Sequence, residues 1–326
     1  MKALVFDRIG SPLEVLQLRE VPVPEVGEGH VLVRMVSASI NPGDFLFIQS
    51  LYPEPAKPVL PGQIAGNHGA GIVARVGRGV SLEPGTLVAF SHVDTWAEYV
   101  VVPSERLIPL PPDYPLEKAA QFFNLISAWD LLEESRVQPG QWLALTAGNS
   151  TVATMLLQLA RARGVKVVSL VRRVQPRLDL KALGASEVLE LSGGTQGVGQ
   201  RLLELTGGQG VSGIIDCVGG PLLGELIRSS AFGGQVIVYG GYSAQKFELH
   251  NFDILMKGLR LGAYVYRYFF EPPKPEDLPM LRNIAALSAP ASFKVPIAEA
   301  HSLEDFKSAI EESVLRPEAG KRFFKG

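Results

Sequence analysis

The sequence predicts an α/β protein in which a doubly wound parallel sheet is joined to a mostly antiparallel β domain. Three observations carry that prediction. From about residue 116 short apolar runs alternate with amphipathic helical stretches, the rhythm of a parallel sheet covered on both faces. Residues 1 to about 112 are instead short β-rich runs divided by proline- and glycine-rich turns. The tail beyond residue 271 is too small to bury a core alone, so it is expected to return to the first domain.

Taken in order, MKALVFDRIG opens as a strand, and HVLVRMVSASI and GAGIVARVG follow, separated by turn chemistry such as PVPEVGEG and LEPGT. EKAAQFFNLISAWDLLEES, residues 117–135, is helical and leads into the turn QPG. The strands then expected are WLALTAG, VKVVSLV, SEVLEL, GIIDCVG and QVIVYGG, with helices at 151–163, 176–183, 197–206 and 221–230 between them. GLRLGAYVYRYF is a sixth strand candidate; EPPKPEDLP breaks the pattern, SLEDFKSAIEESV is a helix and GKRFFKG a short ending. The domain boundaries implied are 1–115 with 272–326 for the β domain and 116–271 for the parallel sheet.

Bulk properties narrow the function. At 326 residues, 46% hydrophobic, 20% charged and with a net charge of −2, the chain has the make-up of an ordinary globular protein. No run of five like charges occurs, so neither a nucleic-acid partner nor a polybasic membrane contact is expected. Cys217 is the only cysteine, which excludes an intramolecular disulfide. With no signal-like or transit-like start and no apolar run of about 18 residues, the expected location is the cytoplasm.

A search for G-x-G-x-x-G finds GQGVSG at 208–213, but in the wrong context. A dinucleotide fingerprint follows a strand and opens a helix, so that N–H groups and the helix dipole meet a pyrophosphate. This match follows a helix and runs into a strand, so its glycines are expected to end the helix and turn the chain. The segment with the right context, TAGNSTVATMLLQLARARGVKVVSLVRR, has only two glycines. Its helix has Val152, Met155, Leu156, Leu159 and Ala160 on one face, Ser150 or Thr151 can cap it, and small residues recur at Ala147, Ser150 and Ala153. Asn149 and Ser150 are placed to donate to phosphate where bare glycine N–H groups otherwise would; a plain structural turn is the alternative.

Where an acidic residue would hold a ribose 2′-hydroxyl, roughly 20 residues on, the chain has none between Glu134 and Asp179, and the strand ends in Arg172 and Arg173. Arginine suits a 2′-phosphate, so NADPH is the expected cofactor.

SINPGDFLFIQSLY, FFNLISAW, GNSTVATMLLQLA, VYGGY and GKRFF, with the domain order above, resemble the medium-chain dehydrogenase/reductase superfamily over nearly the whole chain, and within it the zinc-independent quinone oxidoreductases and 2-enoyl thioester reductases. The resemblance implies a GroES-like β domain, residues 1–115 and 272–326, and a Rossmann NADPH-binding domain, residues 116–271. Zinc-dependent relatives place a cysteine three residues before the domain's Asp and follow with Gly-His-Glu. Here Asn41 precedes Asp44 and Gly66-Asn67-His68 stands second, so no catalytic zinc is expected and His68 is read as structural.

The resemblance also implies site residues. Tyr52 matches the proton-donating tyrosine, with a pocket-lining aromatic as the alternative. Asn41 and Asn124 belong beside the nicotinamide, Asn149, Ser150, Thr151 and Val152 at the pyrophosphate, and Arg172, Arg173 and Val174 at the 2′-phosphate. Tyr239, Gly240, Gly241, Tyr242, Ala263, Tyr264, Val265 and Lys321 complete the groove. Thr151 and Ala153 stand where relatives usually have glycine.

The alternating Tyr264, Tyr266 and Tyr268 fit either an acyl or quinone pocket or an edge strand at a dimer interface. The implied activity is metal-free, NADPH-dependent reduction of a conjugated acceptor, a 2-enoyl thioester or a quinone-like enone, by a homodimer. A quinone reductase without thioester activity and a non-catalytic NADPH-binding protein are the alternatives.

Overall fold

The computed structural model describes residues 1–52, 57–316 and 319–326. The chain forms two compact units, Met1–Phe123 with Tyr268–Gly326, and Asn124–Arg267.

In the first unit β1 (Lys2–Phe6) pairs antiparallel with β2 (Gln17–Glu20) and β4 (Gln63–Ile64), and a one-turn helix α1 (Pro12–Val15) sits between β1 and β2. The larger sheet is built on the long β3 (His30–Ser39), which pairs antiparallel with β5 (His68–Val76) and β7 (Tyr99–Pro103). Beyond β5 come β6 (Leu87–Ser91) and β8 (Ile108–Pro109). Gly71 shows why β5 is glycine-rich: a Cβ there would stand 2.4 Å from the Arg34 carbonyl oxygen on β3.

Helix α2 (Pro42–Ile48) follows β3 directly, with Pro42 at its first position and Asn41 as N-cap. The expected helix over 117–135 is two helices, α3 (Leu116–Ala119) and α4 (Phe122–Ser135). Lys118 on α3 donates to the carbonyls of Ser288, Ala289 and Pro290, which ties this short helix to the first unit.

The second unit is the doubly wound sheet. β9 (Trp142–Leu145), β10 (Lys166–Val171), β11 (Glu187–Glu190), β12 (Val211–Asp216), β13 (Ser230–Val238) and β14 (Arg260–Ala263) pair in the parallel order β11-β10-β9-β12-β13-β14. The order reverses direction at β9, the switch point of this fold.

Helices α5 (Thr151–Ala162), α6 (Leu180–Leu183), α7 (Val198–Leu205), α8 (Gly220–Arg228) and α9 (Asn251–Leu255) make the connections. The helix expected over 176–183 shrinks to one turn, because Asp179 caps it from within by accepting the Ala182 N–H and Gly184 ends it at φ 127°. The sixth strand ends at Ala263. GQGVSG does what its context indicates: Gly208 and Gly210 take φ of 84° and 82° in the turn after α7, and Gly213 lies in β12.

The tail returns as expected. After α10 (Leu278–Ser288), β15 (Ile297–His301) and α11 (Phe306–Leu315), β16 (Lys321–Lys325) pairs antiparallel with β3, Phe323 opposite Ser39. Leu303, Phe306, Ile310 and Phe324 enter the same core as Phe6, Met35, Phe47 and Trp96. Among the described residues no helix is long and apolar enough to cross a membrane.

Candidate active site

In the second unit the loop between β9 and α5 is set by two backbone demands. Ala147 adopts φ 47°, a left-handed conformation in a non-glycine residue. Gly148 is pressed against β10: a Cβ there would stand 1.9 Å from Ser169 Oγ, and its N–H donates to the Leu170 carbonyl. One glycine at the point of closest approach is what the loop requires, and the next tight angle is met by alanine.

Ser150 then caps α5, its Oγ accepting the Ala153 N–H at 3.2 Å, which leaves the N–H groups of Thr151 and Val152 at the helix's open end. The Asn149 side chain does not point out as a free donor. Its Nδ2 donates to the Arg173 carbonyl at 2.9 Å, so it ties the loop to the tip of β10.

At that tip Arg172, Arg173 and Val174 are exposed. Sequence reading placed no acidic residue here, yet β11 brings one: Val171 is in register with Glu190, and Glu190 Oε2 accepts the Val174 N–H at 3.2 Å. The signal lay in the pairing of β10 with β11, not in the spacing along the chain.

Tyr239 to Tyr242 follow β13 and run along the end of β12. Tyr239 N–H donates to the Asp216 carbonyl, Tyr242 N–H to that of Cys217, and a Cβ on Gly240 would stand 2.9 Å from the Cys217 carbonyl oxygen. The Tyr239 hydroxyl reaches Ser150 and Cys217, and burial pushes its pKa upward. Tyr242 is 79% exposed.

The buried Asp216, which sequence reading passed over, anchors this end of the sheet. Its Oδ1 accepts the Thr146 hydroxyl at 2.8 Å and its Oδ2 accepts the Gly219 N–H at 2.8 Å.

The aromatic run divides. Tyr264 turns its hydroxyl onto Asp130 Oδ2 of α4 at 3.0 Å, where Arg267 also binds Asp130, while Ala263 and Val265 are exposed and Tyr268 belongs to the other unit. Asn124 is buried near the start of α4.

In the first unit the residues around α2 form a tight polar cluster. Asp44 is fully buried and accepts three hydrogen bonds: from Asn41 N–H at 2.7 Å, Asn67 N–H at 2.9 Å and Asn67 Nδ2 at 3.0 Å. Asn41 Nδ2 donates to Ser39 Oγ at 2.8 Å. The asparagine–aspartate spacing is that of a capping box, which is the sequence signal for Asp44.

Lys321 donates from Nζ to the Ile40 carbonyl at 3.1 Å; burial lowers its pKa to about 8 although the Asp44 charge opposes that. Burial raises Asp44 to about 6 against the opposing effect of those N–H donors and of Lys321. His68 stacks on Phe123 with centroids 3.7 Å apart, and burial holds its pKa down at about 3, as a neutral imidazole.

Tyr52 completes the cluster. Its ring packs against the first unit's core and lies 5.7 Å from the Phe269 ring. A Cβ on Gly43 would stand 2.7 Å from the Tyr52 hydroxyl, so the phenol rests on the first turn of α2. Burial, followed by the charge of Asp44, raises its pKa above the ordinary tyrosine value, and the phenol stays protonated near neutral pH.

Comparison with known proteins identifies the family and the fold. A family profile described as alcohol dehydrogenase GroES-like domain matches residues 27–112, and one described as zinc-binding dehydrogenase matches residues 151–283. The mitochondrial enoyl-[acyl-carrier-protein] reductase of Bos taurus is 32% identical over 96% of this chain and 85% of its own length. The Escherichia coli quinone oxidoreductase complexed with NADPH superposes with a TM-score of 0.87 at 23% identity, with all of both chains covered. The Etr1p/NADP/crotonyl-CoA complex superposes with a TM-score of 0.84 at 23% identity, covering 100% of this chain and 99% of that one. The chain belongs to the medium-chain dehydrogenase/reductase superfamily, in its quinone oxidoreductase and enoyl reductase group.

Proposed function

We propose that this protein is an NADPH-dependent reductase of a conjugated carbonyl acceptor, that a 2-enoyl thioester is the preferred class, and that it works without zinc. The observation that carries the reading is the protonated Tyr52 phenol held on the Gly43–Asp44 turn. The relatives named as enoyl reductases, similar over nearly the whole chain, favour a thioester over a simple quinone.

The second unit's residues fit a dinucleotide. The absent Cβ at Gly148 keeps the loop against β10, the N-terminus of α5 offers N–H groups and a dipole to a pyrophosphate, and Arg172 and Arg173 suit a 2′-phosphate. Asn149 serves by fixing the arginine tip to this loop, and Gly240 lets the strand exit run close against Cys217. NADPH supplies a hydride when bound.

What the chain adds is a proton and a place for charge. Hydride arrival at the β carbon of an enoyl thioester moves charge onto the carbonyl oxygen and then to the α carbon, which must be protonated. The Tyr52 hydroxyl is the donor, and its raised pKa keeps the proton in place at neutral pH.

Zinc has no place in this reading because the equivalent side chains are amides spent on other bonds. Asn41 Nδ2 is held by Ser39 and Asn67 Nδ2 by Asp44. A homodimer pairing through β14 also fits: the strand is exposed at the sheet edge, and the second unit exposes Phe232, Leu255, Met256 and Leu261.

Stopped-flow oxidation of NADPH against crotonyl thioester, a naphthoquinone and a simple alkenal tests the proposal. Fast turnover with the thioester, slowed by 10²-fold or more in Tyr52→Phe, is the expected outcome. Turnover of the quinone alone selects a quinone reductase without thioester activity, and NADPH binding with no turnover selects a binding protein.

A further inference from the structure

Away from these residues, the C-terminal part of the first unit brings three metal-ligand side chains together. One ligand atom from each of Glu299, His301 and Glu312 lies within 4.8 Å of the other two. Glu299 and His301 are two apart on β15, where alternate residues share a face, and Glu312 comes from α11. No spacing rule along the chain reveals the trio, because the third ligand belongs to another element.

Two further observations separate this cluster from an ordinary acidic surface. His301 is half-buried, and its Nε2, almost wholly shielded from solvent, has no hydrogen-bond partner among the described residues. A shielded ring nitrogen left so is unfavourable unless something else engages it. Glu312 is also held in place from behind. Arg322, only 4% exposed, donates from Nε to Glu312 Oε2 at 3.0 Å and from a guanidinium NH2 group to the Glu312 carbonyl at 3.0 Å. Such outer contacts orient a metal-binding carboxylate and leave its other oxygen for the ion.

We propose that Glu299, His301 and Glu312 form a binding site for a divalent transition-metal ion of the zinc class. One imidazole nitrogen and two carboxylates suit zinc, whereas magnesium prefers an all-oxygen shell. Neighbouring ligands around tetrahedral zinc stand about 3.4 Å apart, so closing the cluster needs about 1.4 Å of movement between any two ligands at most. Three protein ligands leave room for water.

The ion would join β15 to α11. β16 lies between β15 and β3, and its Arg322 and Lys321 point to opposite faces, toward Glu312 and toward Ile40 respectively. The site is therefore a clamp on the tail, not part of the hydride chemistry, and it does not depend on the proposed reductase activity.

The test titrates the full, metal-stripped chain with Zn²⁺ by calorimetry and by thermal unfolding, with Mg²⁺ in parallel. One Zn²⁺ per chain is expected, with a rise in unfolding temperature that Mg²⁺ does not reproduce. His301→Ala and Glu299→Gln should each weaken Zn²⁺ binding at least tenfold. His250→Ala, which removes an exposed imidazole elsewhere, should leave it unchanged. Glu299 is exposed, so Glu299→Gln keeps the test open if His301→Ala folds poorly. Absence of stoichiometric binding, or equal affinity in wild type and both cluster variants, overturns the proposal.

Discussion

The hydroxyl of Tyr52 lies 2.7 Å from the point where a Cβ on Gly43 would stand, so the phenol occupies the space of the missing side chain. Gly43→Ala is compatible with the helix it would join, since alanine is favoured there over glycine. The added methyl moves the tip of the tyrosine instead. The expected result is a fall in turnover of at least tenfold with an unfolding temperature within about 2–4 °C of wild type. Steady-state kinetics beside calorimetry would show it; unchanged turnover would detach Tyr52 from the chemistry.

The half-buried His68 and His92 and the carboxylates of buried Asp44 and half-buried Asp94 oppose each other in acid. His68 and His92 have folded pKa values lowered to about 3 and about 4 from 6.5, so their stabilisation is present above pH 6.5 and is lost as pH falls. Asp44 and Asp94 are raised from 3.8 to about 6, so theirs is present below 3.8 and is lost as pH rises to 6. Each group has a slope of about 1.4 kcal/mol per pH unit inside its window. Removing one histidine leaves the carboxylates in excess. His68→Phe, relative to wild type, should therefore lose stability by about 1.4 kcal/mol per unit as pH rises from 4 to 6. Urea unfolding at three pH values measures the difference, and parallel curves would contradict a neutral His68.

Cofactor choice rests on the tip of β10. Replacing Arg172 and Arg173 together by alanine should raise the Kd for NADPH at least tenfold and leave that for NADH nearly unchanged, as fluorescence titration would reveal. Glu190→Gln removes a carboxylate from the same tip and should shift NADPH binding the opposite way, by a few-fold. Equal losses for both nucleotides in the double variant would remove the arginines from 2′-phosphate recognition.

Gly148 and Ser169 form a testable pair. A methyl at 148 meets Ser169 Oγ at 1.9 Å and the Ser169 and Val171 carbons at 3.1 Å, so Gly148→Ala should destabilise by several kcal/mol, about the scale of overpacking or more. Ser169→Ala removes a buried hydroxyl that has no hydrogen-bond partner among the described residues and should stabilise by about 1 kcal/mol. The double variant should recover part of the Gly148→Ala loss, because only the closest of the three contacts disappears. Strict additivity in a denaturation cycle would contradict this packing.

The sequence by itself determined the alternation that gives the parallel sheet, a cap at Ser150 or Thr151, the false glycine motif at 208–213 and the family, because each is written in neighbouring residues. It also determined that the tail lacks a core of its own. Only the tertiary structure decided that Asn149 bonds to Arg173, that Glu190 joins the arginine tip, that Tyr264 faces Asp130, and that Asp44 lies at the centre of the polar cluster. Those relations pair residues from separate strands and helices, and strand order and burial, not spacing along the chain, set which polar groups meet. Asp44 and Lys321 illustrate the reason: alone each is an ordinary charge, and both titrate abnormally because folding takes them out of water together.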